Sequence, residues 1–342
     1  MLPPSDKLAI CFAHVAYQLQ ERFSALETGI NAFAAREPGT LENRVAEADV
    51  LVISGLWHDG LLDRARKLRF IQAIGAGTDQ FPREELAQRG IRLASAHGVN
   101  YRAVAEHAMA LILALSRRFP EARDNQAKRV WRGMISNPSQ REDELGGKTL
   151  LVVGLGQIGG RLAQLAKAFD MRVVGLRRDP AAGRGATDAV HTMNEFKSLL
   201  PEADFVALTC PLTKETEKLV DAEALHLMKP STYLVNVARG RVVDEAALVE
   251  ALATHRIAGA GIDVTTEERG ELAALGDGAS ASHPTHRGRD SALRGQCDRN
   301  PPRQSGAPLA RRRATQPRSV KPIGASAELC RCRNDPIAPV CG

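Results

Sequence analysis

Thr149-Leu150-Leu151-Val152-Val153-Gly154-Leu155-Gly156-Gln157-Ile158-Gly159 is the stretch that decides the fold. An apolar run of strand character enters a glycine-rich turn, and a helical pattern follows over 158–169. The three glycines have separate tasks. Gly154 permits a tight turn, Gly156 lets the backbone approach a pyrophosphate, and Gly159 lets helix and strand pack closely. The helix N-terminus, with Gln157 and Ile158 in its first turn, offers N–H groups and a partial positive charge to an anion. Strand, turn and helix in this order read as the start of a dinucleotide-binding unit.

Outward from this motif, short apolar runs alternate with helical patterns. Upstream, 8–12, 50–53, 70–74 and 91–94 read as buried strands. Residues 104–115 read as a long apolar helix followed by Arg117 and Arg118, cations suited to a helix C-terminus. Downstream, 172–176, 205–208, 233–237 and 257–262 read as strands, and 245–253 as a further helix. Strand–helix alternation implies a parallel sheet covered on both faces. Two such series predict an α/β protein of two doubly wound parallel-sheet domains, with a cleft between them and a hinge near 98–104. Residues 1–99 would form one domain, incomplete in this chain, and 100–268 the dinucleotide-binding domain.

The end of the strand after the motif chooses the cofactor. An acidic residue about 20 positions on would bond a ribose 2′-hydroxyl and mark NAD. Arg177 and Arg178 stand there instead. Guanidinium forks bind a 2′-phosphate that a carboxylate would repel. NADP is therefore favoured, and NAD stays open because arginine is also an ordinary surface residue.

The 342 residues include 46 Lys+Arg, 40 Asp+Glu and six Cys, and 44% are hydrophobic. That length allows two domains with substantial cores. The longest purely apolar run, 108–115, is too short to span a bilayer, and no basic-then-apolar leader opens the chain. No membrane partner and a cytoplasmic location are expected. Six cysteines in a chain this long do not make a disulfide framework. His14, His58, His97, His191, His226 and His255 lack metal-ligand spacing, so no metal is expected. The net charge of +6 hides a break near residue 268. Residues 1–268 hold 33 basic and 34 acidic side chains, whereas 269–342 hold 13 and 6. The last 74 residues contain no Phe, Tyr or Trp but eight Pro, eight Gly and four of the Cys. They have little apolar surface to offset the entropy of ordering and are expected to form an irregular or disordered basic tail.

Residues 208–268 go beyond a generic nucleotide fold. Leu208-Thr209-Cys210-Pro211-Leu212-Thr213-Lys214-Glu215-Thr216 follows one strand, and Leu234-Val235-Asn236-Val237-Ala238-Arg239-Gly240 ends another. Ala260-Gly261-Ile262-Asp263-Val264 leads to Glu267-Glu268. Upstream stand Gly75-Ala76-Gly77-Thr78-Asp79 and, a few residues after Asn100, Glu106-His107-Ala108-Met109-Ala110-Leu111. In these motifs and their joint spacing, residues 45–268 resemble the D-isomer-specific 2-hydroxyacid dehydrogenases, oxidoreductases with Rossmann-like domains. The resemblance implies hydride transfer between NAD(P)H and a small 2-oxo or D-2-hydroxy acid of glyoxylate or hydroxypyruvate type. It implies that Arg239 holds the substrate carboxylate and polarises the carbonyl, as a planar fork can. Glu268, preferred to Glu267 by spacing alone, would pair with a general-acid histidine and raise its pKa. Asp263 would position the nicotinamide carboxamide, and Pro211, Thr216, Val237, Ala238 and Val104 would contact the dinucleotide. The N–H groups of Ala76 and Gly77, with Asn100, would bind the substrate carboxylate. The family commonly forms homodimers through the interdomain helix region, so a homodimer is expected. His107 lies in an apolar helical run and reads as a packed or capping residue. Cys210 reads as a small apolar filler. Trp57 reads either as lining the substrate mouth or as covering the first domain's core.

Past Glu268 the resemblance stops. The family pattern continues with Pro-Leu, a Leu-Trp turn and a strand ending in Thr-Pro-His-x-x-Gly, whose histidine is the proton donor. This chain continues with Arg269-Gly270-Glu271 and the aromatic-free tail. From Leu275 onward, a frame shifted by one base is permitted by the genetic code to encode Trp-Glu-Met and, after two less constrained positions, Val-Leu-Leu-Thr-Pro-His-Thr-Ala-Gly. A frameshift within a few codons of Glu268, a missing general acid and impaired activity are therefore expected. The alternative is a non-catalytic remnant that still binds a dinucleotide. His283 and His286 stand near the right sequence position, but no strand pattern aims them into the cleft. Arg311-Arg312-Arg313 has no interleaved aromatics, and Cys330-Arg331-Cys332 has no common zinc spacing, so no nucleic-acid partner is expected.

Overall fold

A computed structural model describes residues 2–138 and 141–266 and the backbone of 280–282. Residues 267–279 and 283–342, with Glu267, Glu268, His283 and His286, lie outside the described residues, together with the expectations attached to them.

The first sheet contains β1 (Ala9–Ala13), β2 (Asn31–Ala35), β3 (Val50–Ile53), β4 (Phe70–Ala73) and β5 (Arg92–Ser95). All pairs are parallel, in the order β2-β1-β3-β4-β5. The second sheet contains β6 (Thr149–Val153), β7 (Arg172–Leu176), β8 (Ala189–His191), β9 (Phe205–Leu208), β10 (Tyr233–Asn236), β11 (Gly259–Ile262) and β12 (Ser280–Ser282). It too is parallel throughout, in the order β12-β11-β10-β9-β6-β7-β8. Helices α1 (Leu19–Ser24), α2 (Pro38–Arg44), α3 (Leu61–Arg64) and α4 (Arg83–Gln88) alternate with the strands of the first sheet. Then come α5 (Tyr101–Ser116) and α6 (Phe119–Ala127). The second sheet alternates with α7 (Gln157–Lys167), α8 (Phe196–Leu199), α9 (Ala222–Leu227) and α10 (Glu245–Ala253). No described helix is long and apolar enough to cross a membrane.

The apolar runs become central strands because both faces of the second sheet are covered. Every residue of β6 and β9 is buried. Leu150 and Val152 pack into one core with α5 and α7, while Leu151 and Val153 pack into the opposite core with Leu234 and Leu248. Helix α7 buries Gly159, Leu162, Ala163 and Ala166, an i, i+3, i+4, i+7 stripe facing the sheet. Asp221 and Asp244 start α9 and α10, each accepting a hydrogen bond from a first-turn N–H, that of Ala224 and Ala247 respectively. The strand order reverses between β6 and β9, so the loops after Val153 and Leu208 flank the switch point where such sheets bind ligands.

The structure corrects the sequence reading at three strands. Strands β2 and β8 lie at sheet edges, with small or half-exposed residues in place of a continuous apolar run. Strand β12 is a described element inside the stretch expected to be irregular or disordered, and no apolar run in the sequence marked it. Its three residues pair Ala260 with Ser280, Gly261 with Ala281 and Ile262 with Ser282. The unpaired edge of β11 presents a row of N–H and C=O groups on which an extended chain of any sequence can align. Helix α5 begins at Tyr101, three residues before the expected start, and α7 ends at Lys167 rather than 169.

Candidate active site

At the glycine turn, Gly154 has φ +103°, a conformation L side chains rarely adopt, and a Cβ there would stand 2.7 Å from the Cys210 Cα. The Thr209 hydroxyl donates to the Gly154 carbonyl at 2.8 Å, tying this turn to the loop after β9. A Cβ on Gly159 would lie 2.2 Å from the same carbonyl oxygen, so only glycine lets α7 sit this close to β6. Gly156 differs. No side chain caps α7 there, and the space where its Cβ would project is open to 4 Å. An uncapped helix start beneath open space fits the pyrophosphate of a dinucleotide. Gln157 reaches back to the hinge segment, where a Cβ on Gly98 would meet its Oε1 at 2.7 Å.

Arg239 leaves β10 and crosses to the first sheet. Its Nε donates to Asp79 Oδ1 at 3.0 Å, and its Nη1 donates to the Ala238 carbonyl at 2.7 Å. The guanidinium lies against Gly77, whose Cβ would stand 1.5 Å from Nη2. Buried Asn236 holds the turn from both ends, accepting from the Ala238 N–H and donating to the Arg239 carbonyl, each at 3.0 Å. Val237 and Ala238 are buried in this turn. A Cβ on Gly240 would strike the Thr265 carbonyl carbon at 2.2 Å, so the chain after β11 runs against the same turn.

Asp263, just past β11, has a largely buried side chain whose Oδ1 stands 3.3 Å from His107 Nε2 on α5. His107 is thus packed, as expected, but against a residue of the candidate site. Thr216 is buried, and its hydroxyl is engaged within its own loop, accepting from the Thr213 N–H and donating to the Pro211 carbonyl. Burial pushes the Cys210 thiol up to about 11, which suits an apolar filler and not a nucleophile. Trp57 packs on Phe81 with ring centroids 4.7 Å apart, as part of the cover on the first sheet's core. Ala76 and Gly77 are half-buried, Val104 packs against the core beneath α5, and Asn100 is exposed at the head of α5.

Residues 109–290 match the family model for the NAD binding domain of D-isomer specific 2-hydroxyacid dehydrogenases. The chain belongs to this family. It is 37% identical over 247 residues to the glyoxylate reductase of Thermococcus litoralis, covering 67% of this chain and 71% of the relative. It is 36% identical to the D-3-phosphoglycerate dehydrogenase of Methanocaldococcus jannaschii, a longer protein of which it spans 43%. The NADPH-dependent glyoxylate/hydroxypyruvate reductase of Sinorhizobium meliloti, solved with NADP and malonate, superposes with a TM-score of 0.70 at 26% identity. That superposition covers 81% of this chain and 86% of the other. This 2-hydroxyacid dehydrogenase thus carries an NAD-binding domain and is by family an NAD(P)-dependent oxidoreductase.

In this dehydrogenase, Arg177 and Arg178 have different surroundings. Arg177 folds over the loop that follows it and donates from Nη1 to the carbonyls of Ala182 and Gly183, at 3.2 and 2.7 Å. Arg178 is exposed, and its charge helps hold the Glu215 carboxyl below the usual carboxylate range, after the hydrogen bond from Thr213 and a backbone N–H. A cleft of about 1060 Å³ opens beside the site, between 78–85, Gln88 and Arg89 on one wall and Leu212, Thr213, Glu217 and Arg241 on the other. Asp79 lines it, whereas the glycine turn, Arg239 and Asp263 do not. Sequence reasoning had assigned no role to Asp79, Asn236 or Gly98. Asp79 stands in the stretch already singled out, but nothing in the sequence signals its partner.

Proposed function

We propose that this chain descends from a reductase of small 2-oxo acids of glyoxylate or hydroxypyruvate type and acts on that class weakly, with NADPH preferred to NADH. The observation that carries the reading is the Arg239 guanidinium, held by a buried turn on one sheet and seated on the 77–79 loop of the other. Bound in the site, the dihydronicotinamide supplies a hydride. The chain's own residues bind and orient. The first-turn N–H groups of α7 receive the pyrophosphate over Gly156. Arg177 and Arg178 would meet a 2′-phosphate at the end of β7, and the loops of Pro211–Thr216 and Val237–Ala238, with Val104, would shape the walls. Asp263 orients the carboxamide, steadied by His107. Arg239 holds the substrate carboxylate and polarises the carbonyl, joined by the N–H groups of Ala76 and Gly77 and by Asn100. Glu268 would be the partner of a general acid that this chain lacks, because the Thr-Pro-His sequence does not follow it. Losing a positioned general acid costs about 10²–10⁴ in rate.

In this reading 1–99 is the substrate domain, 100–268 the dinucleotide domain and 269–342 the product of a shifted frame. The packing of α5 on α7, β10 and β11 supports the boundary at 99/100. A homodimer would cover apolar surface such as the exposed Trp131 and Met134, and the cytoplasm is the expected location. The test uses purified chain and a frame-repaired version with glyoxylate, hydroxypyruvate and NADPH. The expected result is a repaired enzyme faster by about 10²–10⁴. Equal turnover overturns the impairment, and no turnover by either overturns the substrate class. Nucleotide binding without turnover by the unrepaired chain supports the second reading, a dinucleotide-binding remnant, which the missing histidine motif favours.

A further inference from the structure

Two observations from opposite sides of the site converge on one guanidinium. Asp79 Oδ1 accepts from Arg239 Nε at 3.0 Å, across 160 residues of sequence. Two residues earlier, the volume a side chain at position 77 would fill is taken by the same group, with Nη2 1.5 Å and Cζ 2.7 Å from the Cβ position. Asp79 Oδ1 is itself 2.9 Å from that Cβ position, so carboxylate and guanidinium share the face of Gly77. Arginine has five N–H donors. One on Nε meets Asp79 and one on Nη1 meets the Ala238 carbonyl. The remaining three lie on the Nη edge.

We propose that Gly77 and Asp79 form a seat for Arg239. Gly77 supplies the room and Asp79 fixes the Nε edge, so the Nη edge is presented in one plane to the substrate carboxylate. Both are positioning residues, and the proposal rests on the reading of Arg239 as the substrate-binding group. The side chains of the pair are 37% and 36% exposed, so its effect on folding is small. What the pair removes is the freedom of a long flexible side chain, and a bidentate carboxylate contact depends on that restriction.

The test is binding of oxalate, a planar dicarboxylate, to the full chain saturated with NADPH, measured by calorimetry, so no turnover is needed. Asp79→Ala is expected to raise the oxalate Kd up to about tenfold, the effect of having to order one long side chain on binding (about 0.5–1.5 kcal/mol). Asp79→Asn keeps an acceptor oxygen and should stay within about threefold by the same argument. Gly77→Ala should weaken oxalate at least as much as Asp79→Ala, because the guanidinium must leave its place. NADPH affinity and the melting temperature should hold in the Asp79 variants. A second readout needs no ligand: slowed exchange of the Arg239 Nε–H in a ¹⁵N-edited spectrum, which Asp79→Ala should release. Unchanged oxalate binding in Asp79→Ala and Gly77→Ala overturns the proposal, as does an Asp79→Asn variant as weak as Asp79→Ala. If the unaltered chain binds NADPH but no oxalate, the functional reading fails, and the seat then stands or falls on the exchange measurement alone.

Discussion

Alanine at Gly156 and at Gly159 should give opposite outcomes three residues apart in one motif. Gly156 has φ −84° and ψ −157°, extended backbone that any residue adopts, and its Cβ would meet nothing within 4 Å. Gly156→Ala should therefore fold normally. Alanine is a poor helix N-cap, at about 1 kcal/mol, and the stiffer unfolded chain offsets about 0.4–1 kcal/mol of that. Binding is another matter. In the proposed placement the pyrophosphate lies over Gly156, so the new methyl would keep a phosphate oxygen from reaching one backbone N–H at hydrogen-bond distance. Losing one charge-assisted bond costs about 1.5–3 kcal/mol, or roughly a 10- to 150-fold rise in NADPH Kd.

At Gly159 the added Cβ would stand 2.2 Å from the Gly154 carbonyl oxygen, 2.7 Å from Thr209 Oγ1 and 3.0 Å from Val152 Cγ1. Two of these neighbours are on the turn or tied to it by the Thr209–Gly154 hydrogen bond, so the first turn of α7 must lift off β6. Overpacking of this kind costs about 1–3 kcal/mol of stability, and binding falls with it. Fluorescence titration with NADPH and urea unfolding, run on both variants, separate the effects. A Gly156→Ala variant binding NADPH within twofold of the unaltered chain would refute the placement of the pyrophosphate. A Gly159→Ala variant with an unchanged urea midpoint would refute the packing argument.

Replacing Arg178 by Ala should raise the NADPH Kd about tenfold at low salt and leave NADH unaffected, with the difference shrinking at high salt; equal losses for both cofactors would remove the case for NADP. Replacing His283 and His286 by Ala should leave the residual reduction rate within twofold, and a tenfold loss would mean that the chain after β12 delivers an imidazole to the site. Cys11 and Cys210 should resist iodoacetamide at pH 8 in the native protein, because burial raises their thiols to about 12 and about 11 from an ordinary value of 9.0; peptide mass mapping reads this out. With both folded-state values above the unfolded one, the native state holds these protons more tightly, so their contribution is complete below pH 9 and fades above it. The urea midpoint should therefore fall between pH 9 and 11, and a rise over that range would contradict the burial.

Central strands were legible in the sequence because burial on both faces leaves an unbroken apolar run. The expected and observed bounds of β6, β7 and β9 coincide. Strands β2 and β8 were not legible, because an edge strand such as Asn31-Ala32-Phe33-Ala34-Ala35 needs only a small, half-covered set of side chains. The glycine turn was legible for a similar reason: backbone geometry and close packing each demand glycine, and both demands are local. Arg239 was legible only through the motif around it. Its partner Asp79 was not, since that pair depends on how far apart two sheets sit, and neither was the contact between His107 and Asp263, which depends on how α5 lies across the end of β11; no local pattern encodes either.

Strand β12 shows where backbone order and chemical order part. Its pairing with β11 uses only N–H and C=O groups, which every residue but proline supplies, so a Ser-Ala-Ser stretch can occupy the edge regardless of which frame encoded it. Arg239 needs far more. The group must be long and forked, the turn before it must be clamped by Asn236, and the neighbouring loop must have no side chain at 77 and a carboxylate at 79. Each of these is a side-chain requirement, and together they span both sheets. A proton donor beside it would need comparable constraints: a strand to set its depth and a carboxylate such as Glu268 to set its charge. Strand pairing alone provides the depth and none of the rest. An edge strand in the right register is therefore weak evidence for catalysis, and the doubly held guanidinium carries more of the weight of the proposed site.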